Sequence, residues 1–408
     1  MDEQQELQRR RQAIRLWLKG VASKHILEKV QRSRFWLNKW RHRFEQQGSA
    51  GLHSQSRRPQ HTPNACAPRI VRLILQTRRR LVKRPIGLIG ARTIRRELRK
   101  ILGSQTPSLA TINRVLQAHD LTASSPEARP AHCPKPLTTL QGTLQALDWT
   151  CRYLEAGPKV YAFHTLNLRT RACTQTIATD KSTPTVIQHC LGTWKTLGIP
   201  QFLQLDNDAA FCGGYKVQRV FGQFVRLCLY LGIELIFLPV AEPERNGEVE
   251  EMNGLWGHAF WERRRFAAVG RVRWASPAFV LWYMTNYAPP YLNGRTPQQA
   301  QRHEPKRRLT AAQIAQLPEV VPITAGRIHF IRQVQADGRI VILNEAWKVS
   351  KRLAGKYVWA TLVTHRRRLE LWYQRSPHYD WRLLKTYRYD IPETVARLQP
   401  EFVRSQAA

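Results

Sequence analysis

Apolar residues recur at helical spacing through the first hundred or so positions, then switch to strand-like alternation, and that change of period divides the chain. Ile14, Leu16, Trp17 and Leu18 mark a first helix that stops near Gly20, and a second covers about Ser23 to Val30. A third, over residues 33–45, sets Trp36, Leu37, Trp40 and Phe44 along one stripe and leaves Arg34, Asn38, Lys39, Arg41 and Arg43 on the other face. A short helix, a tight turn and a basic second helix predict a helix-turn-helix whose last helix enters the major groove of DNA. The plainer alternative is a helical bundle with a solvated basic face. A second helical unit follows: a helix over 70–83, a turn at Gly90, a helix over 91–102 with Ile94, Leu98 and Ile101/Leu102 aligned, and a third through Ile112, Val115 and Leu116. Thr106 is the expected N-cap of that third helix, with Pro107 at its first position. Arg92, Arg95, Arg96 and Arg99 decorate this unit. Residues 122–139 are rich in Pro and Ser and read as a linker.

From residue 143 the period falls to two. LQALDWT, VYAFHTLNL and ACTQTIAT are strand candidates, and 183–198 reads as a helix opened by Pro184 and closed by Gly198. A strand FLQLDN, a helix over 213–232, a strand IELIFLPV and a long helix over 246–266 follow. Three strands and then alternating helix and strand predict a mixed sheet flanked by helices. Further on, RIHFIRQVQADGRIVIL predicts a hairpin turning at Asp337-Gly338, and WKVSKRL, YVWATLVT and LELWYQ are three more short strands. Their spacing predicts a small barrel; the basic turn His365-Arg366-Arg367-Arg368 suits either contact with DNA backbone or a purely structural role. The expected architecture is therefore multidomain. All-α helix-turn-helix units occupy 1–58 and 67–121, a linker 122–139, an α/β core with a mixed sheet 140–305, and a small C-terminal β-barrel 320–385.

Charge sharpens this picture. The 408 residues carry a formal net charge of +36, with 65 Lys+Arg against 29 Asp+Glu. Residues 1–137 hold 29 basic and 8 acidic side chains, whereas 138–310 hold 20 and 13, so the acids gather in the α/β core. Such an excess says nothing about fold but predicts attraction to polyanions, above all nucleic acid. The competing polyanion is a membrane surface. No apolar run is long enough to span a bilayer and MDEQQELQRR does not read as a signal peptide, so a cytoplasmic protein without a membrane partner is expected. Seven scattered cysteines with no Cys-x-x-Cys pair argue against a disulfide framework or a structural zinc site.

Three acids in the middle region stand at particular places. Asp148 lies within the first strand, Asp206 ends the strand after FLQL, and Glu250 sits on the helix after the Pro239–Pro243 loop. Around Glu250, positions three, four and seven away hold Asn246, Gly247, Asn253, Gly254 and Gly257, a small polar face open to a ligand, while Val249, Met252 and Trp256 form the packing stripe. Carboxylates brought together raise one another's pKa unless a cation lies between them. Oxygen ligands select hard ions of the magnesium or manganese class, and a pair of these suits phosphodiester displacement. By spacing alone, acids at the ends of surface elements explain the pattern equally well. Glu248, about 200° round the helix from Glu250, should face elsewhere; Glu251, about 100° away, stays in contention.

LQALDWT, QLDND and RNGEVEEMN resemble the three catalytic blocks of bacterial insertion-sequence transposases with a retroviral-integrase-like core of the ribonuclease-H type. The resemblance spans most of the chain. It implies that Asp148, Asp206 and Glu250 form a triad binding two Mg²⁺ or Mn²⁺ ions, with Asn207, Asn246, Gly247 and Asn253 around it. It implies a DNA transposase that binds element ends, frees 3′-hydroxyls and joins them to target DNA, working as a homo-oligomer on DNA. A helper ATPase is neither implied nor excluded. DNA contacts are expected from Arg34, Asn38, Lys39, Arg41, Arg92, Arg95, Arg96 and Asn253. Four features depart from the pattern: Asp208 stands where a glycine is usual, 43 residues separate Asp206 from Glu250 with FCGGYKVQ the expected insertion, and the His/Cys zinc domain of retroviral integrases is missing. The fourth is the lack of basic residues soon after Glu250, which passes that DNA contact to Arg263, Arg264 and Arg265. The rival readings are a DNA-binding regulator whose core no longer cuts and a ribonuclease-H-type nuclease that stops at hydrolysis.

Overall fold

In the computed structural model the described residues are 3–54, 66–122, 142–213, 219–304, 307–376 and 379–402. The linker read at 122–139 falls, but for residue 122, outside them, as does most of the FCGGYKVQ insertion. The chain divides into two compact units, Met1–Ala67 and Pro68–Ala408.

In the first unit α1 (Glu3–Leu18), α2 (Ser23–Val30) and α3 (Arg34–Gln47) fold around Ala13, Ile14, Ile26, Val30, Leu37, Trp40 and Leu52. The Ser33 hydroxyl accepts from the Trp36 amide at 3.3 Å, which caps α3 where Ser was expected to open it. Two polar bonds close the bundle: Glu6 accepts from Arg32 at 2.7 Å and from the Trp36 indole at 3.2 Å. Arg10 lies 3.9 Å from the centre of the Trp40 ring and donates to the Leu52 carbonyl at 2.9 Å.

The second unit opens with α4 (Pro68–Val82), α5 (Ala91–Leu102) and α6 (Leu109–Ala118). The cap of α6 is Ser108, which accepts from the Thr111 amide at 3.2 Å, and not Thr106 as expected. Thr106 instead donates to the Gly103 carbonyl at 2.7 Å, closing the preceding turn. The link between α4 and α5 is bound to the sheet domain: the Gly87 amide donates to the Ala259 carbonyl at 2.9 Å, and Ile86 and Leu88 pack into its core.

That domain is built on β1 (Leu144–Tyr153), β2 (Lys159–Asn167), β3 (Cys173–Ala178), β4 (Phe202–Leu205) and β5 (Glu234–Phe237). β1, β2 and β3 pair antiparallel, and β4 and β5 add in parallel on the other side of β1. Alternation sends Leu147 and Phe163 toward α7 (Thr183–Thr196), α8 (Ala209–Cys212) and α9 (Gln223–Tyr230). The neighbouring positions Val160, Ala162 and Leu166 meet α10 (Gly247–Ala259) and α11 (Val269–Asn286) on the opposite face. Two helices are shorter than their patterns predicted. The one read at 213–232 begins only at Gln223, because Gly213 and Gly222 pass backbone to backbone; a Cβ on Gly213 would lie 2.9 Å from the Gly222 Cα. The one read at 246–266 ends at Ala259, where Phe260 leaves helical geometry and turns into the aromatic cluster of Trp256, Trp261, Phe266 and Phe279.

The C-terminal strands overturn one expectation. β6 (Arg327–Gln333), β9 (Tyr357–Val363), β10 (Arg368–Tyr373) and β11 (Arg382–Arg388) form no closed barrel among the described residues. They extend the core sheet to nine strands, in the order β11-β10-β9-β6-β5-β4-β1-β2-β3. The reason lies in β6, whose central five residues, Ile328 to Arg332, are all buried. Buried on both faces, β6 takes an inner place in the sheet beside β5, in parallel register with Phe237 opposite Phe330. The turn at 335–338 forms, with the Gly338 amide donating to the Gln335 carbonyl at 2.9 Å. Yet β7 (Arg339–Ile342) pairs with β8 (Glu345–Lys348) and not with β6, as the predicted hairpin required. No helix among the described residues is long and apolar enough to cross a membrane.

Candidate active site

The fold sets the three acids on neighbouring elements. β1 carries Asp148 in its middle, Asp206 follows the last residue of β4 on the adjacent parallel strand, and α10 carries Glu250 in its first turn. Burial pushes the Asp148 carboxyl up to about 7 from an ordinary 3.8, and the neighbouring charges of Asp206 and Glu250 push the same way. Two donors pull against this: the Trp149 amide at 2.7 Å and the Asn253 side-chain amide at 2.8 Å. Burial also raises Asp206, which accepts from the Asp208 amide at 3.0 Å; the Asp208 charge adds to the rise and Lys181 opposes it. Glu248 and Glu251 face another way, into a small cavity lined by Arg171, Tyr283, Tyr287 and Tyr291. Arg171 lies 3.8 Å from Glu248, and the Tyr287 hydroxyl donates to Glu251 at 3.4 Å.

Asp208, the departure from the family pattern, is occupied locally. Its carboxylate caps α8 by accepting from the Ala210 amide at 2.9 Å and pairs with Lys181 at 2.7 Å. Lys181 also lies 4.3 Å from the centre of the Trp149 ring. This cation beside the acids was missed because it sits in a loop after β3 with no pattern around it. Arg332 was missed as well, since it falls in the stretch read as a separate barrel. From β6 it donates to the Asn207 side chain at 2.7 Å and to the Leu238 carbonyl at 2.8 Å, while Asn207 donates to that same carbonyl at 2.7 Å. The loop before α10 is held from both sides. Gln204 of β4 donates to Asn246 at 3.0 Å, and Tyr357 of β9 donates to Glu242, which also binds Arg245. The C-terminal strands thus fix the loops that follow β4 and β5, from which two of the acids are presented.

The donor set suits a hard cation: three oxygen acids, two of them raised by burial, a penalty that a cation would relieve. Among the described residues, no three His, Cys, Asp or Glu side chains already stand grouped as an ion would need them.

The expected DNA-contact residues divide sharply. Arg34, Asn38 and Lys39 are exposed on α3, next to Phe35, which is 81% exposed. Arg41 is half-buried, 4.6 Å from the centre of the Trp17 ring and 3.9 Å from Glu45. Arg92 and Arg95 are exposed on α5, but Arg96 donates to the Asn286 carbonyl at the end of α11. Arg263 donates to the carbonyls of Leu81, Val82 and Arg84 at 3.1, 2.7 and 3.0 Å, closing the C-terminus of α4, and Arg264 donates to that of Pro85 at 3.2 Å. Arg265 is exposed. Asn253 lies at the acids.

Comparison with known families gives a match to an insertion-sequence family model over a short N-terminal stretch of the chain. The match is to the leucine-zipper of insertion element IS481, over residues 30–80. In the structure that stretch takes in α3 and most of α4, helices of 14 and 15 residues, with a 3-10 helix at Gly48–Leu52 directly after α3. Among solved structures, the chain is similar to one in the simian T-cell lymphotropic virus intasome in complex with PP2A regulatory subunit B56 gamma. The identity is 15%, over 74% of this chain and 96% of that one, with a TM-score of 0.32. It is also similar to the catalytic core domain of HTLV-2 integrase in complex with magnesium, at 16% identity over 40% and 99%, TM-score 0.30. The catalytic core domain of BIV integrase gives 15% over 38% and 91%, TM-score 0.27. Likenesses this distant add nothing to the fold, which rests on the strand order above.

Proposed function

We propose that this protein is a DNA transposase that frees 3′-hydroxyls at the ends of its element and joins them to target DNA. The observation that carries this reading is the placing of Asp148, Asp206 and Glu250 on neighbouring elements, with Asp148 raised by burial and further by the charges of the other two. In this reading the three carboxylates hold two divalent ions of the Mg²⁺ or Mn²⁺ class, which when bound stabilise the attacking and leaving oxygens of a phosphodiester displacement. Asn253 directs one oxygen of Asp148 by its hydrogen bond, and the Trp149 amide holds the other. Lys181, bridging Asp208 and Trp149, supplies fixed positive charge where a phosphate would arrive. First a water attacks the phosphodiester at the element end, and the 3′-oxygen leaves as the hydroxyl. That hydroxyl then attacks a target phosphodiester, a bond forms between the 3′-oxygen and phosphorus, and the target's own 3′-oxygen departs. The protein forms no covalent bond to DNA in either step.

The exposed face of α3, with Arg34, Asn38 and Lys39, is proposed to read the terminal repeats, with Arg92, Arg95 and Arg265 on phosphates. Synapsis of two ends calls for at least two copies on DNA. The test uses labelled duplex carrying the DNA that flanks the gene, incubated with wild type and Asp206→Asn, with and without Mn²⁺. Metal-dependent nicking and strand joining by wild type alone is expected. Binding by both proteins with cleavage by neither would leave a DNA-binding regulator, and nicking without joining would leave a nuclease.

The acid cluster makes a second prediction. Asp148 keeps its proton in the folded protein up to about pH 7, but in the unfolded chain only to about 3.8. Metal-free protein should therefore lose stability as pH rises through that window, by on the order of 4 kcal/mol. Asp148→Asn should flatten the dependence of thermal midpoint on pH between 4 and 8; an unchanged slope would show that the burial penalty is absent.

A further inference from the structure

Behind Asp148 runs a chain of buried hydrogen bonds that the proposed chemistry has not yet used. In the sheet register Asp148 of β1 stands opposite His164 of β2, and His164 opposite Gln175 of β3, so the three form a row across three strands on the face covered by α10 and α11. Asn253 of α10 drops into this row between the first two, and Ser276 of α11 closes its far end. The Ser276 hydroxyl donates to the Gln175 carbonyl, and the Gln175 amide lies 2.7 Å from His164 Nε2. His164 Nδ1 lies 2.6 Å from the Asn253 carbonyl oxygen, and the Asn253 amide donates to Asp148 at 2.8 Å.

Each bond constrains the next. With its carbonyl accepting from Ser276, Gln175 turns its amide to His164, and an amide nitrogen only donates. His164 Nε2 must therefore accept, which puts the single ring proton on Nδ1. That proton points the Asn253 oxygen back toward the ring and its NH₂ forward to the carboxylate. The ring is wholly buried, and burial lowers its pKa to about 4, so at neutral pH it stays uncharged as this pattern requires.

We propose that His164 is a positioning residue, held as the Nδ1-protonated tautomer by Gln175 and Ser276, which fixes the Asn253 amide and through it the orientation of the Asp148 carboxylate. Without the ring, the Asn253 amide loses the partner that distinguishes its two ends, and Asp148 can turn. The inference rests on reading Asp148 as a metal-binding carboxylate. Residues that orient metal ligands typically change affinity by about 10- to 100-fold when removed, and residues acting along one path give effects that do not add.

The test measures Mn²⁺ binding to full-length protein by titration calorimetry, together with the tautomer of His164 by nitrogen-15 NMR at neutral pH. Mn²⁺ alone is the probe, so no DNA substrate or turnover is involved. Asp148→Asn should abolish the tight Mn²⁺ site. His164→Phe, which keeps a ring of similar size, and Asn253→Ala should each weaken it about tenfold or more, and the double variant should be no weaker than the worse single one. Gln175→Leu, at the half-buried end of the row, should weaken it by a smaller factor and keeps the test usable should His164→Phe not fold. Wild-type His164 should show the Nδ1-protonated pattern. If Asp148→Asn binds Mn²⁺ like wild type, the metal-site reading falls and takes the inference with it. If Asp148→Asn fails to bind but His164→Phe and Gln175→Leu bind like wild type, the inference alone is overturned. Additive losses, or an Nε2-protonated ring, would overturn it as well.

Discussion

The two three-helix regions look alike along the chain, both short, both amphipathic and both studded with arginine, yet they use their basic residues differently. In residues 3–54 the arginines that hold the bundle together, Arg10 and Arg32, come from outside the exposed face of α3, and Arg34, Asn38 and Lys39 stay open to solvent. In residues 68–121 much of the basic charge is engaged by partners within the protein. Arg78 donates to the carbonyl of Ile89, Arg80, Arg84 and Lys100 surround the buried carboxylate of Glu97, and Arg96 reaches the end of α11. Arginine count therefore does not locate a nucleic-acid surface; what matters is whether each guanidinium already has carbonyl or carboxylate partners inside the fold. In the proposed function the first region reads DNA, whereas the second is bound to the sheet domain through Gly87, Arg96 and Arg263.

The largest expected effect follows from that contrast. Replacing Arg34, Asn38 and Lys39 together by Ala should lower affinity for element-end duplex by about 100-fold or more, because good base-edge contacts are worth about 1–3 kcal/mol each. Arg92→Ala with Arg95→Ala should cost well under tenfold. Fluorescence anisotropy against an excess of unrelated DNA separates the two, and equal losses would break the comparison. Phe35→Ala should fall between them, since an exposed ring beside three polar readers suits contact with a thymine methyl group.

Much of this was legible in the chain itself, and the failures have physical causes. Periodicity located α1, α2, α3 and α5 and each strand of the five-stranded core, because each buries a regular stripe or face against its neighbours. By spacing alone the acids could as well have been surface residues at the ends of elements; the resemblance of LQALDWT, QLDND and RNGEVEEMN to catalytic blocks is what singled them out. What sequence could not show was pairing at long range. β6 reads as a hairpin strand beside β7 and becomes an inner strand beside β5, some ninety residues away, and nothing local in RIHFIRQ distinguishes the two. Arg332 and Lys181 were missed for the same reason, since their partners Asn207 and Asp208 are near only in the fold. Arg263 and Arg264 were read as DNA contacts from their charge, while the carbonyls they meet lie about 180 residues earlier.

Arg263 gives the intermediate test. Arg263→Ala leaves the carbonyls of Leu81, Val82 and Arg84 without their donor at the end of α4, and hydrogen bonds from a charged group are worth about 1.5–3 kcal/mol. Thermal unfolding should shift downward accordingly, with affinity for duplex DNA changed less than twofold once the variant is folded. A loss of binding without a loss of stability would return Arg263 to the DNA surface.

The smallest expected effect is the finest probe of the second region. Removing one cation that neutralises a DNA phosphate should reduce the slope of log affinity against log salt concentration by about 0.9. Arg92 is exposed on α5, so Arg92→Ala should reduce the slope by about that amount and weaken all sequences alike. Arg96, four positions along the same helix, donates to the Asn286 carbonyl, and Arg96→Ala should leave the slope where it was. Both residues carry the same charge on one short helix, so the pair isolates whether a guanidinium engaged by backbone still counts toward DNA. Equal slopes for the two variants would mean that the bond to Asn286 opens when DNA arrives, and that the second region reads phosphate with its whole helix rather than with its exposed arginines alone.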